Sequence, residues 1–371
     1  MSRTATVVLG LCFGILGCGR NLPDRPGEVE LAIGGTTDED PGSIRLVSGI
    51  ATDAQGRIWA TDALSDDIRV FNADGTFAFR IGGTGADSTQ FAGPCCLSFD
   101  ERGRLWVRDG ANARYSVFST NESGVDFLFS VPSLRGAQTL RRPITFDPQG
   151  RLIDVRQSST RAAGGAVRMF IDSLGVAQDS QVLAPVPQES LGVIALQSNG
   201  AIWFLKPPYG AVELIAHGPQ GDYARAISSR YLVRRHSVNG DVLYEISRPR
   251  ERGPALTHVE RARAENQLIK DAQRMGMAPA ELAGLMPFRN QVLAGLYFDR
   301  GGRLWVELHT RLAEPNRVAD VYDREGNGLF RAEWPKSVDL AEIAWISEDM
   351  ALGVEVDTLP GYDRVMRVRW R

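Results

Sequence analysis

Short apolar segments, each closed by a polar turn, recur along the chain. Residues 50–59 read IATDAQGRIW, 97–106 read LSFDERGRLW, 144–153 read ITFDPQGRLI and 296–305 read LYFDRGGRLW. Each is an apolar stretch, a D-x-x-G turn and a second apolar stretch. That pattern predicts a β-hairpin, because Asp can bond its own downstream backbone and Gly takes the positive φ that the turn demands. Asp53, Asp100 and Asp147 follow one another at intervals of 47 residues. A second pair of strands follows in each unit: 67–82 read DIRVFNADGTFAFRIG, 231–246 read YLVRRHSVNGDVLYEI and 317–331 read RVADVYDREGNGLFR. Two hairpins in about 40–50 residues make a four-stranded antiparallel sheet, the period of a propeller blade.

The N-terminal pattern repeats the end of a unit. Glu28 to Asp53 parallels Thr76 to Asp100, so the folded part starts with an outermost strand. Ile343 to Ser347, Leu352 to Val356 and Arg364 to Trp370 supply three strands at the other end. A strand at Glu28 to Ile33 would complete that last blade and leave no free edge around the ring. The expected fold is therefore all-β: a β-propeller over 28–371, closed by its N-terminal strand. Units begin near Gly49, Pro94, Pro143, Val212, Val292 and Ile343, which counts six blades. The stretch Val193 to Leu205, VIALQSNGAIWFL, also resembles an inner hairpin and gives the alternative count of seven.

One segment breaks the β pattern. Thr257-His258-Val259-Glu260 is a capping box, RARAENQLIKDAQRMG follows, and Gly276 stands as a C-cap. PAELAGLM, with Pro279 in its first turn, reads as a second short helix. A helical insert over 254–286 is expected to pack on the rim or to act as a lid.

The first 17 residues differ in kind. A positive Met1-Ser2-Arg3 precedes an apolar run, Thr4 to Gly17, too short to span a bilayer. The run ends Leu16-Gly17-Cys18, which resembles the bacterial lipobox, although Leu16 stands where that pattern prefers a small residue. The resemblance implies a signal peptide over 1–17, lipid on Cys18 and a polar tether over 18–27. The protein is then exported and membrane-anchored, on the periplasmic or cell-surface side. Loss of Arg3 would change the formal net charge from −3 to −4, so no basic surface is available for nucleic acid. Besides Cys18, the part after the cut has only Cys95 and Cys96, so there is no disulfide framework.

The chemistry is much less clearly written. In each blade the D-x-x-G turn and the outer turn share one end. The longer loops, joining strands two and three and successive blades, share the other, and that loop face is the expected binding face. It carries Asp62, Asp109, Asn112, Arg142, Arg156, Glu307 and His309. Asp62 and Asp109 either form a carboxylate pair able to hold Ca²⁺ or bond their own loops. Cys95-Cys96 either fill a strand or form a strained vicinal disulfide beside a ligand. The four His show no metal-ligand spacing, and there is no G-x-S-x-G, Walker loop or C-x-x-C. Trp59, Trp106, Trp203 and Trp305 beside the turns read as blade packing.

Gly49 to Asp62 with Ile68 to Phe71, and Leu97 to Asp109 with Arg114 to Phe118, resemble the NHL repeat of six-bladed propellers. That resemblance implies the fold and leaves function open, since such propellers include scaffolds, binding modules, lyases and lactonases. The leading expectation is a non-enzymatic binding or scaffold module with a protein, peptide or glycan on its loop face and no cofactor. The alternative is a metal-dependent propeller hydrolase or lactonase, for which resemblance implies a divalent metal such as Ca²⁺. Asp62, Asp109, Asn112 and Glu307 are the available oxygens, with Asp62, Asp109 and Glu307 the metal candidates.

Overall fold

The computed structural model describes residues 22–133, 144–157, 166–172, 174–184, 186, 194–198, 201–205, 207–274, 289–340, 344–356 and 361–371. Strand β1 (Asp24–Ile33) precedes a series of antiparallel sheets. The first comprises β2 (Val47–Thr52), β3 (Ile58–Asp62), β4 (Asp67–Phe71) and β5 (Phe77–Gly82), hydrogen-bonded in chain order. The second has β6 (Pro94–Phe99), β7 (Leu105–Asp109), β8 (Arg114–Thr120) and β9 (Val125–Pro132). The third has β10 (Thr145–Phe146), β11 (Leu152–Gln157), β12 (Ala166–Ile171) and β13 (Ala177–Val182). A separate hairpin, β14 (Ile194–Ser198) with β15 (Ala201–Leu205), comes next. The fourth sheet has β16 (Glu213–His217), β17 (Tyr223–Ile227), β18 (Leu232–His236) and β19 (Val242–Ser247).

The remaining strands join through β1. Strands β20 (Leu293–Phe298), β21 (Leu304–Leu308), β22 (Asn316–Tyr322) and β23 (Gly328–Pro335) repeat the four-strand order. Beyond them, β24 (Val338–Asp339) and β25 (Trp345–Ile346) both pair with β26 (Met350–Glu355), which pairs with β27 (Val365–Trp370). β1 lies antiparallel to β27 from Gly27 opposite Trp370 to Ile33 opposite Val365. The predicted meeting of the chain's two ends is therefore present. Unforeseen was a parallel pairing of Asp24 to Pro26 with Arg331 to Glu333 of β23, which merges these strands into one nine-stranded sheet among the described residues.

Apolar clusters lie where neighbouring sheets face each other. Trp59, Ile68 and Val70 of the first sheet pack with Leu97, Leu105 and Val107 of the second. Trp106 and Val117 continue onto Ile144, Leu152 and Ile171 of the third. Val233 and Ile246 of the fourth meet Leu293, Leu304 and Val306 beyond it. Trp305 and Trp334 meet Val368 and Trp370, and Leu352 and Val365 meet Ile50 and Ile58 of the first sheet. Alternating strand residues serve both faces, so the inner strands β2 to β4, β6 and β7 are buried on two sides, whereas outermost strands such as β13 are largely exposed.

Helix α1 (His258–Arg274) forms where the capping box predicts it. Thr257 N donates to Glu260 Oε2 at 2.7 Å, and Glu260 N donates to Thr257 Oγ1 at 3.2 Å. Ala264 and Leu268 are its buried face. The expected second short helix lies outside the described residues, as do the leader and Cys18. Among the described residues, no helix is long and apolar enough to cross a membrane.

Candidate functional site

The turns that close the innermost hairpins share one construction. Asp53 Oδ1 accepts the backbone N–H groups of Gln55 and Arg57 at 3.0 and 2.9 Å. Its Oδ2 accepts Arg57 Nε at 2.6 Å and Trp59 Nε1 at 2.9 Å. Asp100 does the same with Arg104 and Trp106, and Asp299 with Arg303 and Trp305. Asp147 repeats the arginine contacts, with Ile153 in the tryptophan's place. A buried carboxylate is tolerable only when its lone pairs are filled, and this D-x-x-G-R-x-W unit fills them within seven residues. The fourth sheet departs from the pattern. Gly218 holds the aspartate's place in HGPQGD, and Asp222 sits in the arginine's place, pairing instead with Arg235 of β18 at 2.6 Å.

Inside the circle of innermost strands lies a cavity of about 810 Å³. Its wall is made by β2, β6, β10, β16, β20 and β25, and it extends to the turns at Asp100 to Arg104, Asp147 to Arg151, Pro219-Gln220 and Asp299-Arg300. The cavity therefore reaches the D-x-x-G end rather than the loop face that the sequence favours. Phe146, Leu214, Ile215, Phe298 and Trp345 line it and are only half-buried, so each offers apolar surface to its interior. Nearly every carboxylate in the wall is committed. Asp100, Asp147 and Asp299 hold their turn arginines, and Glu213 holds Arg225 with Nε–Oε1 at 2.8 Å. Asp172 accepts the N–H groups of Leu174 and Val176, both at 2.9 Å, and Gln178 Nε2 at 2.6 Å.

The residues singled out from the sequence are dispersed. Asp62 is fully buried and accepts N–H groups from Arg45, Leu46, Leu64 and Ser65, besides the Ser65 hydroxyl. Asp109 accepts Ala92 N, Asn112 Nδ2 and Arg114 Nε at 2.8, 2.8 and 2.9 Å, and Asn112 also donates to Gly85 O. Glu307 is buried under the Tyr297 hydroxyl, with Arg317 Nη1 at 3.1 Å. Burial pushes its carboxyl up, and those two partners pull it back. Burial lowers the His309 imidazole, and the nearby Arg317 charge adds to that. Arg156 lies in β11 opposite Val167, while Arg142 is outside the described residues. Among the described residues no three His, Cys, Asp or Glu side chains converge to hold a metal ion.

Cys95 and Cys96 do not sit on a regular strand. Pairing of β6 with β7 skips from Cys95 opposite Arg108 to Ser98 opposite Trp106, and Cys96 has φ +56° at this bulge. The register also shifts between Val47 and Gly49 and between Leu293 and Gly295, where neither glycine takes a positive φ. Cys95 is half-buried, Cys96 is buried, and both thiols lie close enough to Arg108 to influence its charge.

Known proteins share the architecture and little sequence. A Bacteroides fragilis protein named as exported superposes with a TM-score of 0.50 at 10% identity, over 93% of this chain and 95% of that one. The chain folds as a β-propeller. Virginiamycin B lyase from Staphylococcus aureus has a TM-score of 0.44 at 14% identity, covering 92% of this propeller and 99% of the lyase. The PQQ-bound aldose sugar dehydrogenase of Streptomyces coelicolor has a TM-score of 0.45 at 10% identity, covering 93% and 98%. No family model matches the chain, and no curated protein does. These likenesses concern the fold alone, so the site must be read from its own residues.

The cavity's chemistry escaped sequence reading because its residues come from six separated strands. Arg300 illustrates the point. The second position of the D-x-x-G turns reads Ala54, Glu101, Pro148 and Arg300, and such variation within a constant frame was the available signal.

Proposed function

We propose that this protein is an extracytoplasmic binding propeller of six blades whose central cavity takes up a small organic ligand. The cavity itself carries this reading. Its volume suits a small molecule, and it combines half-buried aromatic and aliphatic side chains with a few polar groups. The carboxylates committed to turn-closing ion pairs give recognition surface rather than a poised acid and base. Six blades follow if β1 is counted with β24 to β27, leaving β14–β15 as an elaboration between the third and fourth sheets. Export and attachment through lipid on Cys18 rest on the leader's sequence.

The test is a thermal-shift screen of small organic molecules against the intact exported protein. A ligand binding only the folded state raises the melting temperature with its concentration. Thr145, half-buried in the cavity wall, is the position to fill. Thr145→Phe is expected to abolish the shift while leaving the ligand-free melting temperature close to wild type. Shifts that survive this substitution would place binding elsewhere. Separately, metabolic lipid labelling should vanish in Cys18→Ser; retained label would refute the anchor.

A further inference from the structure

The cavity wall is not electrically neutral once its internal pairs are removed. Among the lining arginines, Arg104 and Arg151 belong to Asp100 and Asp147. Arg324 donates through Nε to the Gly301 carbonyl at 3.0 Å and meets no carboxylate among the described residues. The side chains of Arg102 and Arg300 have neither an ion pair nor a hydrogen bond among the described residues. Glu101 is the one lining carboxylate outside the pairs and turn contacts described above. Among the described residues, three guanidinium groups without a carboxylate partner, those of Arg102, Arg300 and Arg324, thus stand against two carboxylates without a cationic partner, Glu101 and Asp172.

Arg300 is the best placed of the three. Its backbone N–H donates to Ile346 O at 2.9 Å, which fixes the turn after β20 against β25. Its side chain is accessible to solvent, yet the surrounding wall lowers its pKa through burial alone, with no opposing charge to restore it. An exposed cation in the cavity wall without a partner among the described residues is open to an anion that enters the cavity. Guanidinium presents a planar fork that matches the two oxygens of a carboxylate or the face of a sulfonate. The exposed Arg102 and Arg324 add a field that draws anions to the mouth.

We propose that the cavity is a receptor site for an organic anion, a carboxylate or sulfonate carried on a flat apolar body. The anionic group sits on Arg300, and the body lies against Phe146, Leu214, Ile215, Phe298 and Trp345. This rests on the cavity being the binding site, and it adds the charge and shape of what enters.

Two fluorescent probes separate the two claims. 8-Anilinonaphthalene-1-sulfonate and N-phenyl-1-naphthylamine have the same aromatic body, and only the first carries a sulfonate. Titration of the intact exported protein is expected to show the sulfonate binding about tenfold more tightly or better, as a charge-assisted contact requires. Arg300→Met should bring the two affinities within about twofold by weakening the sulfonate only. Thr145→Phe should weaken both, with Ala294→Leu, also in the wall, as a second filling variant should the first not fold. Equal affinities in the wild type, or a preference that survives Arg300→Met, would overturn the anion assignment; loss of both dyes on filling the cavity would then leave the binding site standing. Dyes that bind regardless of filling, or do not bind at all, would overturn both claims.

Discussion

Two seams of the ring are built in opposite ways. Between the first and second sheets, Trp59 meets Phe79 and Phe99 edge-on at 5.8 and 5.7 Å, inside an apolar cluster that includes Ile68. Ile68 lies opposite Thr61, eight residues beyond the turn aspartate. The corresponding positions are Tyr115 opposite Arg108, Val233 opposite Ala226 and Ala319 opposite Glu307, all buried. In the third sheet that position is Arg168, opposite Val155 and with 0% of its surface exposed. Its Nη1 donates to Gln181 Oε1 at 2.8 Å and to Val238 O at 3.3 Å, and its Nη2 to Gly221 O. The guanidinium also lies over Tyr223, 4.6 Å from the ring centre, and Tyr223 stacks on His236 at 4.7 Å. One seam excludes water with hydrocarbon; the other crosses between sheets with a cation that holds backbone carbonyls.

The difference has a local cause. The fourth sheet lacks the turn aspartate and arginine, having Gly218 and Asp222 instead, and its residue in the tryptophan's place is Ala224. Less side-chain volume comes from that side, and a long residue from the third sheet fills the gap. Desolvation brings Arg168 down to about 10, so its contacts do not fully replace water. The seam is polar because small residues opened it, and it carries a charge at some cost.

Substitutions on either side can break the contrast. Trp59→Ala should have the largest effect, a loss of about 3–5 kcal/mol from the cavity left behind, read from denaturant unfolding. Arg168→Ala should cost about 3 kcal/mol, since it strands the carbonyls and opens a void. Arg168→Met should fall within about 1 kcal/mol of wild type in the same measurement, because it retains volume and removes a buried charge. A methionine variant as damaged as the alanine one would show that the hydrogen bonds, rather than filling, hold this seam.

Asp100→Asn probes what the two seams have in common with the turns. The amide can still accept backbone N–H groups but loses the ion pair with Arg104, so about 1.5–3 kcal/mol should disappear by thermal unfolding. The smallest expected effect is the polar seam's share of the pH dependence, to which the lowered His309 adds a fall of the same sign. His236 is lowered by burial and by the charges of Arg225, Arg234 and Arg168, against a raising bond from Nδ1 to Gly240 O. Its unfolded form therefore takes up protons first as the pH falls through about 6.5, and stability declines from there downward. His236→Phe should reduce the slope of the melting temperature between about pH 6.5 and 5, leaving the part due to His309, and an unchanged slope would assign it to other groups.

The units were legible because their frame is local. Asp53, Gly56, Arg57 and Trp59 lie within one turn of chain, and the bonds among them need no distant partner. The same holds for Thr257 and Glu260 at the start of α1. Register was less accessible. VRMF at 167–170 looks like IRVF at 68–71, which would match Arg168 with Arg69. Instead Phe71 lies opposite Ile58, while the third sheet sets Ile171, one residue further on, in that place opposite Leu152. A shift of one residue turns a side chain to the other face, so the arginine enters the seam.

By itself, then, the order of residues determined the hairpins, their turns, the helix cap and the pairing of the chain's two ends. Each follows from short-range hydrogen bonding or from a repeat that can be counted. Only the tertiary structure decided that β1 would also pair with β23, that Arg168 would face Tyr223, and that a cavity between the innermost strands would reach the D-x-x-G end. It also decided which charges were left over, because Asp100, Asp147 and Asp299 are satisfied within their own turns while Arg300 has no such partner. The physical reason is range: turn chemistry acts within a few residues, whereas a cavity is made where distant strands converge.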